Sequence, residues 1–550
     1  MSENIRNFAK NFAKVGTTFA AEIKDSLMIT ARTVKLPSGI QDFEGLVNDG
    51  YCYVDKTEHI YNLMNSGKYF FLSRPRRFGK SLFLSTLKAF FLGKRELFEG
   101  LAIARHEDIT WEKHPVLYVD LNVNNYDSVD VLKIKLDDSL NEWESLYGCV
   151  DKSLPLGMRF EKVIKRAYEQ TGLKAVILVD EYDKPLLEAI GNTELQEAFR
   201  DTLRGFYSAL KSMDACIEFA MLTGVTEFGK LNVFSGLNNL MDISMDRRFA
   251  DICGITEKEM LDNFEDKIKA MAAENEMSYD ECVEKLRKMY DGYHFEENAI
   301  GVYNPYSLLN ALVQNKFGKY WFDSGTPTFL VKLLMNREYN LEHFSHESVV
   351  ADEISAIDPD FANPIPVIYQ SGYLTIKDYD PDLEQYILGF PNREVEEGFV
   401  KRLMKSFINF EATNTPFNVA SFVKDVRAGK TEEFIDRLRS LFADTPYELI
   451  KDLENHYQNI LWLLFRLMGF YTHTEYHTSR GRIDLLVKTP LYIYVMEFKL
   501  DGTAEEAMAQ INSKEYSLPF TVESQTVVKI GMNFSKETRN IEKWIIDFMK

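Results

Sequence analysis

Most of the features that would sort this chain quickly are missing. No two of its five cysteines (Cys52, Cys149, Cys216, Cys253 and Cys282) form a C-x-x-C pair. Neither a zinc site nor a disulfide framework is expected, and a reduced, cytoplasmic compartment fits best. No apolar run approaches the roughly 20 residues of a membrane span, and the N-terminus lacks the apolar core of a secretory signal. A basic excess is also missing. Lys and Arg number 64 against 84 Asp and Glu, for a net charge of −20. That excludes a non-specific nucleic-acid coat and leaves any contact with DNA or RNA to a local patch or to metal ions. Tandem repeats and low-complexity segments are not evident.

What is present is a long, apolar-rich chain. At 550 residues, 45% hydrophobic and 13% aromatic, it exceeds one core, and length alone suggests roughly three or four domains. Residues 1–35 form an extension in which Phe8, Phe12, Val15, Phe19 and Ile23 recur at helical spacing between Arg6, Lys10 and Lys14. A helix docked on its own protein, or a frayed extension, is favoured over a membrane-surface helix. Residues 36–255 alternate apolar runs with helical patterns, the signature of a parallel α/β sheet. The clearest strands are 69–73, 116–121, 175–179 and 219–223. Residues 256–450 read as mainly helical, a lid or linker, and 451–550 as a second, smaller α/β unit.

The first chemical signal is Arg74-Pro-Arg-Arg-Phe-Gly-Lys-Ser81. A strand enters this run and a helix leaves it, as in G-x-x-x-x-G-K-[ST] phosphate loops, except that Arg74 stands where the first Gly belongs. Gly79, Lys80 and Ser81 would bind the phosphates, with the Ser81 hydroxyl on Mg²⁺ and with Arg74, Arg76 and Arg77 adding charge. A basic surface turn is the plain alternative. Ala175-Val-Ile-Leu-Val-Asp-Glu181 supplies the other half of a hydrolytic site. Asp180, at the end of an apolar strand, would organise Mg²⁺, and Glu181 would polarise the attacking water. Thr223, at the end of a third strand, and Thr226 are candidate γ-phosphate sensors. Arg247 and Arg248 are weaker candidates for a transition-state arginine. An arginine from a neighbouring subunit would require a homo-oligomer.

A second constellation lies near the C-terminus: Gly481-Arg-Ile-Asp484, then Met496-Glu-Phe-Lys499. Glu497 and Lys499 share one strand face. Asp484 and Glu497 would hold Mg²⁺ or Mn²⁺, and Lys499 would stabilise charge or position a nucleophile for phosphodiester hydrolysis. Glu454, on the preceding helix, would add a further acid, with Gln510 and Tyr516 nearby. A hairpin with a surface ion pair is the bland reading.

These motifs, together with Leu36-Pro-Ser-Gly-Ile-Gln-Asp-Phe43, Tyr53-Val-Asp-Lys-Thr57 and Tyr290-Asp-Gly-Tyr293, resemble the bacterial AAA-ATPase-like proteins that carry a C-terminal nuclease domain of the PD-(D/E)xK superfamily. Arg74 in place of the first loop Gly is how that family itself reads, and residues 1–35 fall outside the likeness. The resemblance implies a P-loop NTPase parallel sheet, a helical lid and a small restriction-endonuclease-like α/β domain. It also implies ATP binding and nuclease chemistry. A nucleotide-dependent switch whose C-terminal domain binds nucleic acid without cutting it is the competing expectation. Lys499 argues against that, because a binding module has no need of Glu-x-Lys at a metal.

Overall fold

The computed structural model describes residues 35–122, 125–148, 151–227, 233–234, 239–324, 347–350, 353–354, 363–407, 419–443, 454–467 and 471–549. The extension 1–35, apart from Lys35, lies outside the described residues.

Five apolar segments build the first sheet: β1 (Tyr69–Ser73), β2 (Val116–Asp120), β3 (Ala175–Asp180), β4 (Ile217–Gly224) and β5 (Met241–Asp242). Their order is β2-β3-β4-β1-β5, and every pairing is parallel. The uninterrupted apolar runs follow from burial on both faces. Phe70, Leu72, Val176 and Leu178 pack with Leu84, Leu87 and Phe90 of the helix Lys80–Phe91. The alternate residues Tyr69, Phe71, Ile177 and Val179 pack with Leu136, Phe160 and Leu203 of the helices Val129–Tyr147, Leu156–Thr171 and Thr193–Ser212. In register, Ser73 pairs with Gly224 and Asp120 with Asp180, so the carboxyl ends of these strands lie along one edge of the sheet. Ligands of open α/β sheets bind outside that edge.

The middle segment is less purely helical than its pattern predicts. Strands β6 (Ile255–Thr256) and β7 (Val302–Tyr303) pair antiparallel and precede the helices Glu257–Glu274 and Pro305–Gln314. Strands β8 (Glu347–Val350), β9 (Thr375–Asp380) and β10 (Gln385–Gly389) form an antiparallel sheet in the order β8-β10-β9. The helix Arg393–Phe407 follows.

The C-terminal sheet holds β11 (Tyr471–Thr478), β12 (Gly481–Lys488), β13 (Tyr492–Leu500), β14 (Thr526–Ser535) and β15 (Asn540–Met549) in chain order. Only β13 and β14 run parallel, with the helix Ala504–Ser513 crossing between them. That helix lies so close to β14 that a Cβ on Gly531 would fall 2.6 Å from the Met508 nitrogen. One cluster of buried apolar side chains runs from Phe43 and Phe70 through Trp321, Tyr373 and Phe399 to Trp462, Leu485 and Phe534. The two sheets are thus joined through the middle segment by continuous packing. Among the described residues no helix is long and apolar enough to cross a membrane.

Candidate functional site

The loop after β1 opens onto a cleft of about 340 Å³ lined by Arg76, Arg77, Gly79, Lys80, Ser81 and Glu181. Gly79 adopts φ 97°, and Arg77 also has a positive φ of 67°. A Cβ at Gly79 would meet nothing within 4 Å, so the need for glycine there is conformational rather than steric. Lys80 is buried, and its ammonium donates to the Arg74 and Pro75 carbonyls at 2.8 and 3.1 Å. Burial pushes this ammonium's pKa down, while Asp180 and Glu181 pull the other way.

Asp180 is buried at the end of β3, where its Oδ1 accepts the Thr223 hydroxyl at 2.7 Å and the Glu181 N–H at 3.1 Å. Glu181 turns into the cleft on a left-handed backbone, φ 53°, a conformation that a non-glycine residue holds only where its surroundings impose it. Burial pushes its carboxyl up, with Lys80 and then Arg76 among the charges acting on it. Apolar side chains extend the cleft, among them Ile40, Tyr53, Val54, Ile252, Tyr306 and Leu309. The arrangement can hold a flat apolar group beside a polyanion.

In the C-terminal sheet, the register Leu485↔Met496 sets Asp484 across from Glu497. Asp484 Oδ2 accepts the Phe498 N–H at 2.7 Å. Glu497 is 1% exposed, its Oε1 lies 3.1 Å from Lys499 Nζ, and its Oε2 is buried without a hydrogen-bond partner. Burial pushes this carboxyl up; Lys499, and hydrogen bonding with Asp484, pull it down. A buried carboxylate oxygen with no donor is costly unless a cation satisfies it. The donor set is hard oxygen, which suits Mg²⁺ or Mn²⁺. Among the described residues no three His, Cys, Asp or Glu side chains converge, so two carboxylates are what these strands offer.

Residues 37–234 match the family model described as a predicted AAA-ATPase. Residues 452–544 match that of the PD-(D/E)XK nuclease superfamily. A protein of Azotobacter chroococcum mcd 1, described as an uncharacterized protein in the vnfD 5' region, is 32% identical over 524 residues, covering 93% of this chain and 99% of the relative. The chain belongs to the AAA-ATPase-like family. The first matched region holds strands β1 to β4 of the parallel sheet, and the second holds β11 to β14 and the start of β15.

In this AAA-ATPase-like protein several residues take positions other than those expected. Arg74 does not face the cleft. It is 1% exposed behind the loop, donating to the Ser73 and Ser244 carbonyls at 2.8 and 2.7 Å and to the Phe249 carbonyl at 3.1 Å, with its guanidinium 4.0 Å from the Phe295 ring centroid. It therefore anchors the loop rather than adding charge near the phosphates. Thr223 is fully buried and commits its hydroxyl to Asp180, so it positions the acid instead of meeting a phosphate. Thr226 is likewise committed, donating to Asp183 at 2.8 Å. Arg248 forks onto Asp246, and neither it nor Arg247 lines the cleft.

At the second site Gln510 is half-buried on the helix that covers the Glu497 face. Tyr516 is buried, and a Cβ on Gly481 would lie 2.6 Å from its hydroxyl. Glu454 begins the helix Glu454–Leu467, but its side chain lies outside the described residues.

Sequence reasoning missed three contributors. Asp183 is buried and accepts the Val225 and Thr226 N–H groups, which ties the end of β3 to the segment after β4. Lys56 lines the cleft wall and bonds both oxygens of Glu259 at 2.7 and 2.8 Å. Trp321 donates its indole N–H to the Arg76 carbonyl. The aromatics of 290–295 also reach the loop: Phe78 packs edge-on against Tyr293 and Phe295.

Proposed function

We propose that this protein binds and hydrolyses ATP in the cleft and that its C-terminal site is a metal-dependent nuclease, acting on DNA or RNA, under the control of that cleft. On this reading the ATPase unit spans 36–255, the lid 256–450 and the nuclease unit 451–550. The observation that carries the nuclease assignment is the unpartnered buried oxygen of Glu497 beside Asp484 and Lys499, which is unfavourable in a purely structural hairpin.

In the cleft, Lys80 exchanges its loop carbonyls for phosphate oxygens, and the N-terminus of its helix faces the same anion. Ser81 and Asp180 hold Mg²⁺, with Asp180 kept in place by Thr223. Glu181 accepts the proton of the attacking water, and its raised pKa suits a group that takes up a proton. At the second site Asp484 and Glu497 hold Mg²⁺ or Mn²⁺, while Lys499 orients the nucleophile or meets developing charge. When bound, the divalent ion neutralises phosphate charge in the cleft and, in the nuclease, lowers the pKa of a water and stabilises the leaving oxygen.

Control has a material route. Trp321 bonds Arg76 in the loop, and its own N–H donates to Glu394 at 2.8 Å. Glu394 lies on the helix Arg393–Phe407, whose Glu396 pairs with Arg466 at 2.5 Å on the helix Glu454–Leu467. The latter helix packs its Tyr457, Ile460 and Leu461 in the cluster that contains Leu485 and Phe498. The test of the nuclease assignment is cleavage of plasmid and oligonucleotide with Mg²⁺ or Mn²⁺: Asp484→Ala and Lys499→Ala should each abolish it. Cleavage surviving both substitutions would place the active site elsewhere.

A further inference from the structure

We infer that Arg76 is the arginine that stabilises the transferring γ-phosphoryl group, supplied by the chain's own phosphate loop rather than by another subunit. The inference rests on the ATPase reading above.

Hydrolysis spreads charge over the equatorial oxygens of the γ-phosphoryl group, and an arginine aimed there is worth about 10³- to 10⁵-fold in rate. The positions and partners of the candidate arginines decide between them. Arg74 is behind the loop, spent on three backbone carbonyls. Arg77 is exposed and lies over the Tyr306 ring at 5.0 Å. Arg248 is forked onto Asp246, and neither it nor Arg247 lines the cleft. The lysines of the cleft are also committed: Lys56 to Glu259, Lys184 to Glu188 at 2.7 Å, and Lys80 to its own loop.

Arg76 differs from all of these. It lines the cleft half-buried, and its guanidinium donates to no protein group among the described residues. Its main-chain carbonyl accepts the Trp321 indole N–H at 2.9 Å, so an anchored backbone presents an uncommitted fork. Its charge already acts on the Glu181 carboxyl, which lines the same cleft. The chain therefore gathers an acid and a planar cation in the cleft that Lys80 also lines. The side chain is planar and always charged, which suits phosphoryl oxygens better than a lysine would.

The test uses the full-length protein. Arg76→Ala should lower kcat for ATP hydrolysis by about 10³-fold while leaving affinity for a non-hydrolysable ATP analogue within about threefold, and it should abolish binding of the ADP–aluminium fluoride complex. Arg76→Lys should recover little, because it lacks the fork. An excess of Lys80→Ala protein, which retains Arg76 but not the phosphate lysine, should fail to rescue Arg76→Ala. Since the Arg76 guanidinium has no hydrogen bond to lose among the described residues, the melting temperature of Arg76→Ala should stay close to wild type. Hydrolysis by Arg76→Ala within tenfold of wild type, or rescue in the mixture, overturns the inference. A wild-type protein that binds ATP analogues without hydrolysing ATP would instead overturn the ATPase reading beneath it.

Discussion

The Trp321 indole N–H and the Arg76 carbonyl are 2.9 Å apart, which makes the middle segment part of the wall of the phosphate loop. The nearby turn at Gly372 comes as close: a Cβ there would sit 2.6 Å from Pro75. A shift of the loop would press directly on Trp321 and on the turn at Gly372. From Glu394 and Glu396 the path continues to the helix on the C-terminal sheet.

Breaking that path away from both sites should uncouple them. Glu396→Gln combined with Arg466→Leu should reduce the effect of ATP on cleavage severalfold. ATP affinity and cleavage without ATP should stay within about twofold of wild type, because neither residue lies in either site. Nucleotide titration and cleavage kinetics on the same samples check this, and an undiminished ATP effect would refute the route.

Arg74 should behave as a structural residue. Replacing it with Met leaves the Ser244 and Phe249 carbonyls without their buried donor, a loss of about 1–3 kcal/mol. Urea denaturation measures it. Arg74→Lys should restore little, since one ammonium cannot span three carbonyls.

The parallel sheet was legible because strands covered on both faces are continuous apolar runs, and Asp180 and Glu181 follow one of them directly. The observed limits of β1, β2 and β3 lie within a residue of those read from pattern. Other parts were not legible. β5 is two residues long and gives no periodic signal. β15 is only partly buried and carries Glu542, Lys543 and Asp547 among its apolar residues, so its alternation is blurred. The sheet β8-β10-β9 was hidden in a region that reads as helical. Side-chain direction was the larger gap. Nothing in the order Arg74-Pro-Arg-Arg77 says that the first arginine turns inward while the third residue of the run faces the cleft. That depends on the carbonyls of Ser244 and Phe249, far along the chain. The pairing of Glu497 and Lys499 was more legible, because strand period two places them on one face whatever the surroundings.

The pair Asp251–His59, 3.3 Å apart, predicts an acid-dependent loss of stability. Burial pushes the Asp251 carboxyl up, but the hydrogen bond and charge of His59 outweigh it and bring the group from 3.8 down to about 2. A depressed carboxylate stabilises the fold above its unfolded pKa, and that contribution disappears as pH falls from 3.8 toward 2. Discounted for the partial exposure of Asp251, it should be on the order of 1 kcal/mol. Denaturation at stepped pH should show this component in wild type and lack it in His59→Gln.

Divalent metal should stabilise the C-terminal sheet through Glu497. Adding Mg²⁺ or Mn²⁺ without nucleotide should raise the melting temperature of wild type, with a dependence on free metal that follows simple linkage. In Glu497→Gln the shift should vanish and cleavage should fall below detection. An equal shift in the variant would mean that the ion binds elsewhere.

The most direct test of the whole account is the rate of nucleic-acid cleavage by the purified protein in Mg²⁺, measured against ATP concentration for wild type, Lys80→Ala and Asp484→Ala. Wild type should cleave at a rate that changes with ATP. Lys80→Ala should cleave at the ATP-free rate whatever the ATP concentration, and Asp484→Ala should bind ATP without cleaving. Cleavage by Asp484→Ala, or a wild-type response to ATP that survives in Lys80→Ala, would contradict it.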